Sequence, residues 1–145
     1  MRRLFLLIAA LGLVTAACGS AAPVPPRFIV ISMTDAMRFV PDTITVAVGE
    51  TVVLQIANDG QIAHEFMVGD ATAQNAHAAL MAAMPSATTT GHSHDAAEHD
   101  DGGVSVAPGS GAVREYAFTT AGTVFIGCHE PGHYGAGMVA RIVVR

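Results

Sequence analysis

The chain has no lysine and no tryptophan, only two cysteines and two tyrosines, and a single long apolar run, at its start. Without lysine, seven arginines face twelve acids. Nucleic acid demands clustered basic side chains, so the balance argues against that class of partner. After residue 20 nothing is long and apolar enough to span a bilayer as a helix. Two cysteines allow one disulfide at most. Each stands where another use fits better, so no structural disulfide is expected.

The leading segment accounts for one of them. Met1-Arg2-Arg3 is a short basic start, and Leu4 to Val14 is apolar but too short to cross a membrane. Thr15, Ala16 and Ala17 then lead into Cys18. Residues 1–17 therefore form a secretory signal. Cys18 after two alanines resembles the lipobox of bacterial lipoproteins and is the candidate lipidation site, although Thr15 occupies a place usually aliphatic. Ordinary cleavage near Ala17 or Ala22 is the alternative. The expected location is the bacterial periplasm or the outer face of a membrane, with membrane contact only through an N-terminal lipid. Losing Arg2 and Arg3 takes the formal charge from −5 to −7 and leaves 128 of 145 residues, enough for one domain.

Residues 18–26, with Pro23, Pro25 and Pro26, read as a stiff linker. A domain over 27–145 follows. Phe28 to Ile31 is β-branched and apolar, and Thr43 to Val48 alternates with a period of two, which places Ile44, Val46 and Val48 on one face. Gly49-Glu50 turns the chain into Thr51–Ile56, and Asn58-Asp59-Gly60 turns it toward His64–Val68. Gly111–Phe118, Thr123–Gly127 and Met138–Val144 are three further strands. Many short strands with Gly and Pro between them predict an all-β sandwich or barrel. Residues 70–103 interrupt the pattern as an insertion. Ala71 to Met84 is helix-permissive, and 91–103 is a His/acid tract expected to be a disordered arm.

The C-terminal run from Gly127 to Met138 carries the chemistry. It spaces Cys128, His133 and Met138 at five-residue intervals. A thiol, an imidazole and a thioether are soft to intermediate donors, which favours copper over magnesium, calcium or manganese. Two His, one Cys and a weak axial Met form the ligand set of blue-copper centres. A second His must come from another strand, because one loop cannot surround an ion. His64, at the start of a strand after a turn, is the strongest candidate.

Phe39 through Val46, Val48-Gly49-Glu50, Asn58 and His64-Glu65-Phe66 resemble the N-terminal half of a cupredoxin. Pro108-Gly109, Phe118, Gly122 through Phe125 and Cys128 through Met138 resemble its C-terminal half. The match is to the plastocyanin/azurin family of small blue-copper proteins, with a ligand loop similar to auracyanin- and rusticyanin-like members. It covers residues 39–69 and 104–145. The resemblance implies a Greek-key β-sandwich holding one type 1 copper, with His64, Cys128 and His133 as equatorial ligands and Met138 axial. Many members follow the first His with Asn, which ties the two ligand loops together. Here Glu65 stands in that place. His129, next to Cys128, should point away from the ion by strand alternation. Tyr116 and Tyr134 are expected to pack.

The implied function is that of an exported one-electron carrier, monomeric, meeting a redox partner protein at a small apolar patch of Pro131, Gly135 and Ala136 near His133. The alternative is a copper buffering or delivery protein. In that reading His92, His94 and His99 of the arm are auxiliary metal ligands, and His77, Met81 and Met84, at helical intervals, form a softer Cu(I) face. The arm pays ordering entropy on each chelation, which favours leaving it unliganded. No enzymatic role is expected, since the copper enzymes built on this fold take further ligands from additional domains or subunits.

Overall fold

The computed structural model describes residues 25–83, 97–98 and 102–145. The chain runs through β1 (Arg27–Thr34), β2 (Arg38–Val40), β3 (Thr43–Val46), β4 (Glu50–Asn58), β5 (His64–Gly69), helix α1 (Ala71–Ala83), β6 (Ala97–Glu98), β7 (Val104–Val106), β8 (Gly111–Phe118), β9 (Gly122–Gly127) and β10 (Val139–Val144). One sheet has the order β2-β1-β4-β8 and the other β3-β10-β9-β5-β7-β6. Parallel pairing of β1 with β4, and of β3 with β10, records where the chain crosses between sheets. The β-sandwich expected from the strand pattern is the fold observed.

The period-two strands bury one face each. Ile31 and Met33 of β1, Leu54 and Ile56 of β4, Phe66 of β5, Ile126 of β9 and Ala140 and Ile142 of β10 meet in one apolar cluster. Ile44 and Val46 point inward as the alternation predicts, but Val48 is half exposed. β3 stops at Val46 because the chain turns there: Glu50 N–H donates to Ala47 O, and Glu50 Oε2 accepts from Ala47 N–H at 2.7 Å. Arg27 Nε ties β1 to the same carboxylate at 2.7 Å.

The register of the larger sheet positions the functional loop. Gly127, the last residue of β9, pairs with Met67 of β5 on one side and with Val139 of β10 on the other. Cys128 therefore leaves the sheet between the strand that begins at His64 and the strand that Met138 precedes.

Three strands lie outside the expected set: β2, β6 and β7. β6 falls within the His/acid tract, where a disordered arm was expected, and pairs antiparallel with β7. A strand edge offers unpaired N–H and C=O groups, and two residues suffice to cover part of it. The signal, Cys18, most of the 18–26 linker, Met84, His92, His94 and His99 lie outside the described residues.

Helix α1 begins as its composition suggests. Asp70 Oδ1 accepts from Ala73 N–H at 2.8 Å, satisfying a first-turn donor, and the alanines that follow favour the helix. Its buried side chains are polar, Gln74 and His77, and Leu80 is half exposed. The helix is held to the sheet by hydrogen bonds rather than by an apolar stripe.

Leu54→Ala should cost about 2–5 kcal/mol of stability because it opens a cavity in the core. Val30→Ala, at an exposed position, should change it by less than about 0.5 kcal/mol. Urea unfolding of the two variants measures the contrast.

Candidate metal centre

His64, Cys128 and His133 converge although 64 residues separate the first two. One donor atom from each lies within 4.8 Å of the others. The two Nδ1 atoms are 3.3 Å apart, and His133 Nδ1 lies 3.3 Å from Cys128 Sγ. His64 and Cys128 are fully buried and His133 is partly so. Two ring nitrogens and a sulfur facing one another this closely suit a shared cation.

The local sequence explains each placement. Asn58 Nδ2 donates to Ile62 O and to Val106 O, both at 2.8 Å, and its Oδ1 accepts from Gly60 N–H at 2.9 Å. This pins the loop that delivers His64. Asp35, in the turn after β1, accepts from Gln61 N–H at 2.8 Å. Gly60 is needed for that approach, because a Cβ there would overlap the Asp35 carboxylate. His64 Nε2 lies 3.5 Å from Asp35 Oδ1 and has no closer partner, a long electrostatic contact rather than a formed hydrogen bond. Burial, with His133 nearby, holds the His64 pKa below its ordinary value, although Asp35 pulls the other way. A neutral ring is the form that ligates a metal.

The ligand loop folds through short-range bonds. His133 N–H donates to Glu130 O, Met138 N–H to His133 O, and Cys128 N–H to Met138 O, which closes its base. Gly132 and Gly137 take φ of 85° and 94°, where other residues would be strained. Met138 is fully buried in the cluster that contains Cys128.

Burial pushes the Cys128 thiol up to about 11. The amides of Glu65 and Glu130 pull it down, while their carboxylates push it up. Such a sulfur ionises at neutral pH when a metal cation replaces its proton. The donor set fits copper: one sulfur and two imidazoles, with a thioether on the same loop.

The residue after His64 keeps the two ligand segments joined. Glu65 N–H donates to Cys128 Sγ at 3.2 Å, and Glu65 Oε2 accepts from His129 N–H at 3.0 Å. Glu65 thus ties the two ligand segments. Its other oxygen, Oε1, lies 2.7 Å from His77 Nε2. His77 is accordingly buried against the sheet, so it does not form an outward Cu(I) face with Met81.

His129 does point away from the trio. Its Nε2 is 2.7 Å from Gln74 Oε1, and its ring stacks on Tyr134 with centroids 4.5 Å apart. Tyr116 packs against Phe66 and Phe118. The sequence reading missed Asp35 and Gln74, and it did not find the contact of His77 with Glu65. The available signal was the spacing of Gln74 and His77, three apart on an alanine-rich helix, which puts two polar groups on one side.

Residues 28–145 match the family described as copper binding proteins, plastocyanin/azurin family. A protein of Rubrivivax gelatinosus named copper-resistant cuproprotein CopI is 44% identical over 119 residues, covering 82% of this chain and 67% of its own. A protein of the same name from Pseudomonas aeruginosa is 36% identical over 129 residues, 75% of this chain and 71% of its own. Among solved structures, auracyanin A of Chloroflexus aurantiacus, a blue copper protein, matches with a TM-score of 0.61 at 22% identity, over 83% of this chain and all of that one. The dithionite-reduced auracyanin of Roseiflexus castenholzii matches with a TM-score of 0.61 at 18% identity, over 81% and 96%. The auracyanin likenesses show the fold.

Asn58→Ala removes the donor to the buried Val106 carbonyl and should destabilise the apoprotein by about 1–3 kcal/mol. Denaturant titration against the unaltered chain checks it.

Proposed function

Because the chain belongs to the copper-binding plastocyanin/azurin family, we propose that it is an exported type 1 copper protein that passes electrons singly. The observation that carries this reading is the closure of His64, Cys128 and His133 donors within 4.8 Å inside a folded loop. Copper, when bound, supplies the one-electron change between Cu(I) and Cu(II). The chain's own residues fix the donors so that little needs to move when that charge changes. The Asn58 bonds tie the His64 segment to β7, the Glu65 bonds hold it against the Cys128 loop, and Met138 O anchors the loop's base. His133 alone of the three is partly exposed, and Pro131, Gly135 and Ala136 around it are open to solvent. A redox partner of small contact area would meet the chain there.

A second reading, copper handling, is favoured by the names of the relatives, which are called copper-resistant. On that reading the same centre, with the His-rich arm, buffers or delivers copper. An exported protein on an N-terminal tether would serve either role. Among the described residues no helix is long and apolar enough to cross a membrane.

The two readings part on stoichiometry. The carrier reading expects one tightly held copper, intense thiolate-to-copper visible absorption, and reversible one-electron voltammetry of the full mature chain. A colourless protein holding several coppers through residues 77–101 would reverse the preference.

Cys128→Ser should abolish the colour and most of the rise in melting temperature that copper gives. Ligand that binds only the folded state stabilises by mass action, about 2.7 kcal/mol at a hundredfold excess over Kd. Scanning calorimetry with and without copper reads the difference.

A further inference from the structure

Helix α1 lies within a segment that reads in sequence as an insertion apart from the copper site. Its buried face reaches that site nonetheless. His77 Nε2 and Glu65 Oε1 are 2.7 Å apart with both side chains fully buried. Glu65 is also the residue whose backbone N–H faces Cys128 Sγ and whose Oε2 holds His129 N–H. A chain of contacts therefore runs from the helix to the sulfur: His77, Glu65, then Cys128 and its neighbour.

The surroundings are shaped around this cluster. Gln74 Nε2 donates to Met67 O of β5 and to Phe125 O of β9, both at 3.1 Å, so the helix is clamped across the strand that carries His64 and the strand that leads into Cys128. Its Oε1 meets His129 Nε2, and the His129 ring takes the edge of His77 with centroids 4.9 Å apart. A Cβ at Gly103 would crowd Glu65 Oε1 and His77 Cε1 at 2.7 Å each, and one at Gly127 would run into Gln74 Oε1. Glycine at both positions leaves room for the polar side chains.

We propose that His77 is a positioning residue of the copper centre: by holding Glu65 between β5 and the ligand loop, it fixes the amide donor at Cys128 Sγ, and helix α1 is part of the copper-site framework. The physical reason is the cost of a buried carboxylate. Without its 2.7 Å partner, Glu65 gains by turning toward water or another donor. Turning releases His129 N–H and slackens the join between the ligand segments. Hydrogen bonds to a ligating sulfur tune its bond to the metal, so the effect extends beyond stability. The inference rests on the copper site and is independent of which role the copper serves.

Three variants of the full mature chain test it. His77→Phe keeps the bulk and drops the nitrogen, His77→Gln restores a donor, and Leu80→Ala is a control on the exposed face of the same helix. The readouts are the thiolate-to-copper absorption of the Cu(II) form and the hydrogen exchange rate of the His129 amide in the apoprotein. His77→Phe should shift the band and speed that exchange at least tenfold. His77→Gln should recover most of both, and Leu80→Ala should match the parent. If His77→Phe does not fold, His77→Asn, too short to reach Glu65, takes its place with the same expectation. A lowered melting temperature with parental band and parental His129 exchange overturns the proposal. Failure of the copper site itself is distinguishable, since the parent chain would then be colourless while the apoprotein exchange still reports the tie.

Discussion

The structure turns on a sulfur kept dry. Cys128 Sγ is buried and has two carboxylates near enough to oppose its ionisation, yet it faces two imidazole nitrogens at the focus of a folded loop. A thiolate in that place is unfavourable without a cation, and the two imidazole nitrogens that face it lie only 3.3 Å from one another. The sandwich absorbs this local cost. Its apolar cluster and its two sheets hold β5, β9 and β10 in the register that brings the donors together. Metal binding then supplies the positive charge for which the surroundings are already set, as in sites where folding and ligation are thermodynamically linked.

That constraint explains why polar groups gather behind the ligands instead of a second apolar layer. β5 is buried on both faces: Phe66 enters the sandwich core, while Glu65 turns outward beneath α1. An ordinary amphipathic helix would have covered that face with leucines. Here α1 covers it with Gln74 and His77, whose hydrogen-bonding atoms meet a carboxylate, an imidazole and two strand carbonyls. A buried network of this kind is sensitive to the loss of any member, which makes it a rigid support when complete.

The ligand loop was legible in the sequence because its chemistry is local. Cys128, His133 and Met138 lie within eleven residues, and the glycines that let the loop turn lie between them. His64 was legible from its position after a turn at the head of a strand. The main sheet strands were legible as short runs bounded by turn residues, and Thr43 to Val48 from period-two alternation, although Glu50 folding back on Ala47 cut β3 short of Val48. The role of His77 was not legible for a different reason. Helical spacing reports which residues share a face, but not whether that face meets solvent or a strand, and the partner that decides it, Glu65, is twelve positions away. β6 and β7 escaped because two- and three-residue strands carry too few side chains to show a period.

A carboxylate at Glu65, where an amide could make the tie, bears on the electrostatics of the site as well as its hydrogen bonds. An amide would tie the two ligand segments without adding charge. A carboxylate makes the tie to His129 N–H but leaves a second oxygen to be satisfied away from water. His77 meets that demand from a helix that a bare sandwich of this type would not need. Glu65, His77 and the small residues Gly103 and Gly127 thus form one set: the carboxylate meets the imidazole, the imidazole is carried by the helix, and the helix can dock this closely because Gly103 and Gly127 carry no side chain there. Substituting Glu65 or His77 removes the contact each makes to the other, and a side chain at Gly103 or Gly127 would crowd the buried polar groups, so helix α1 and the residue after His64 are physically a single feature.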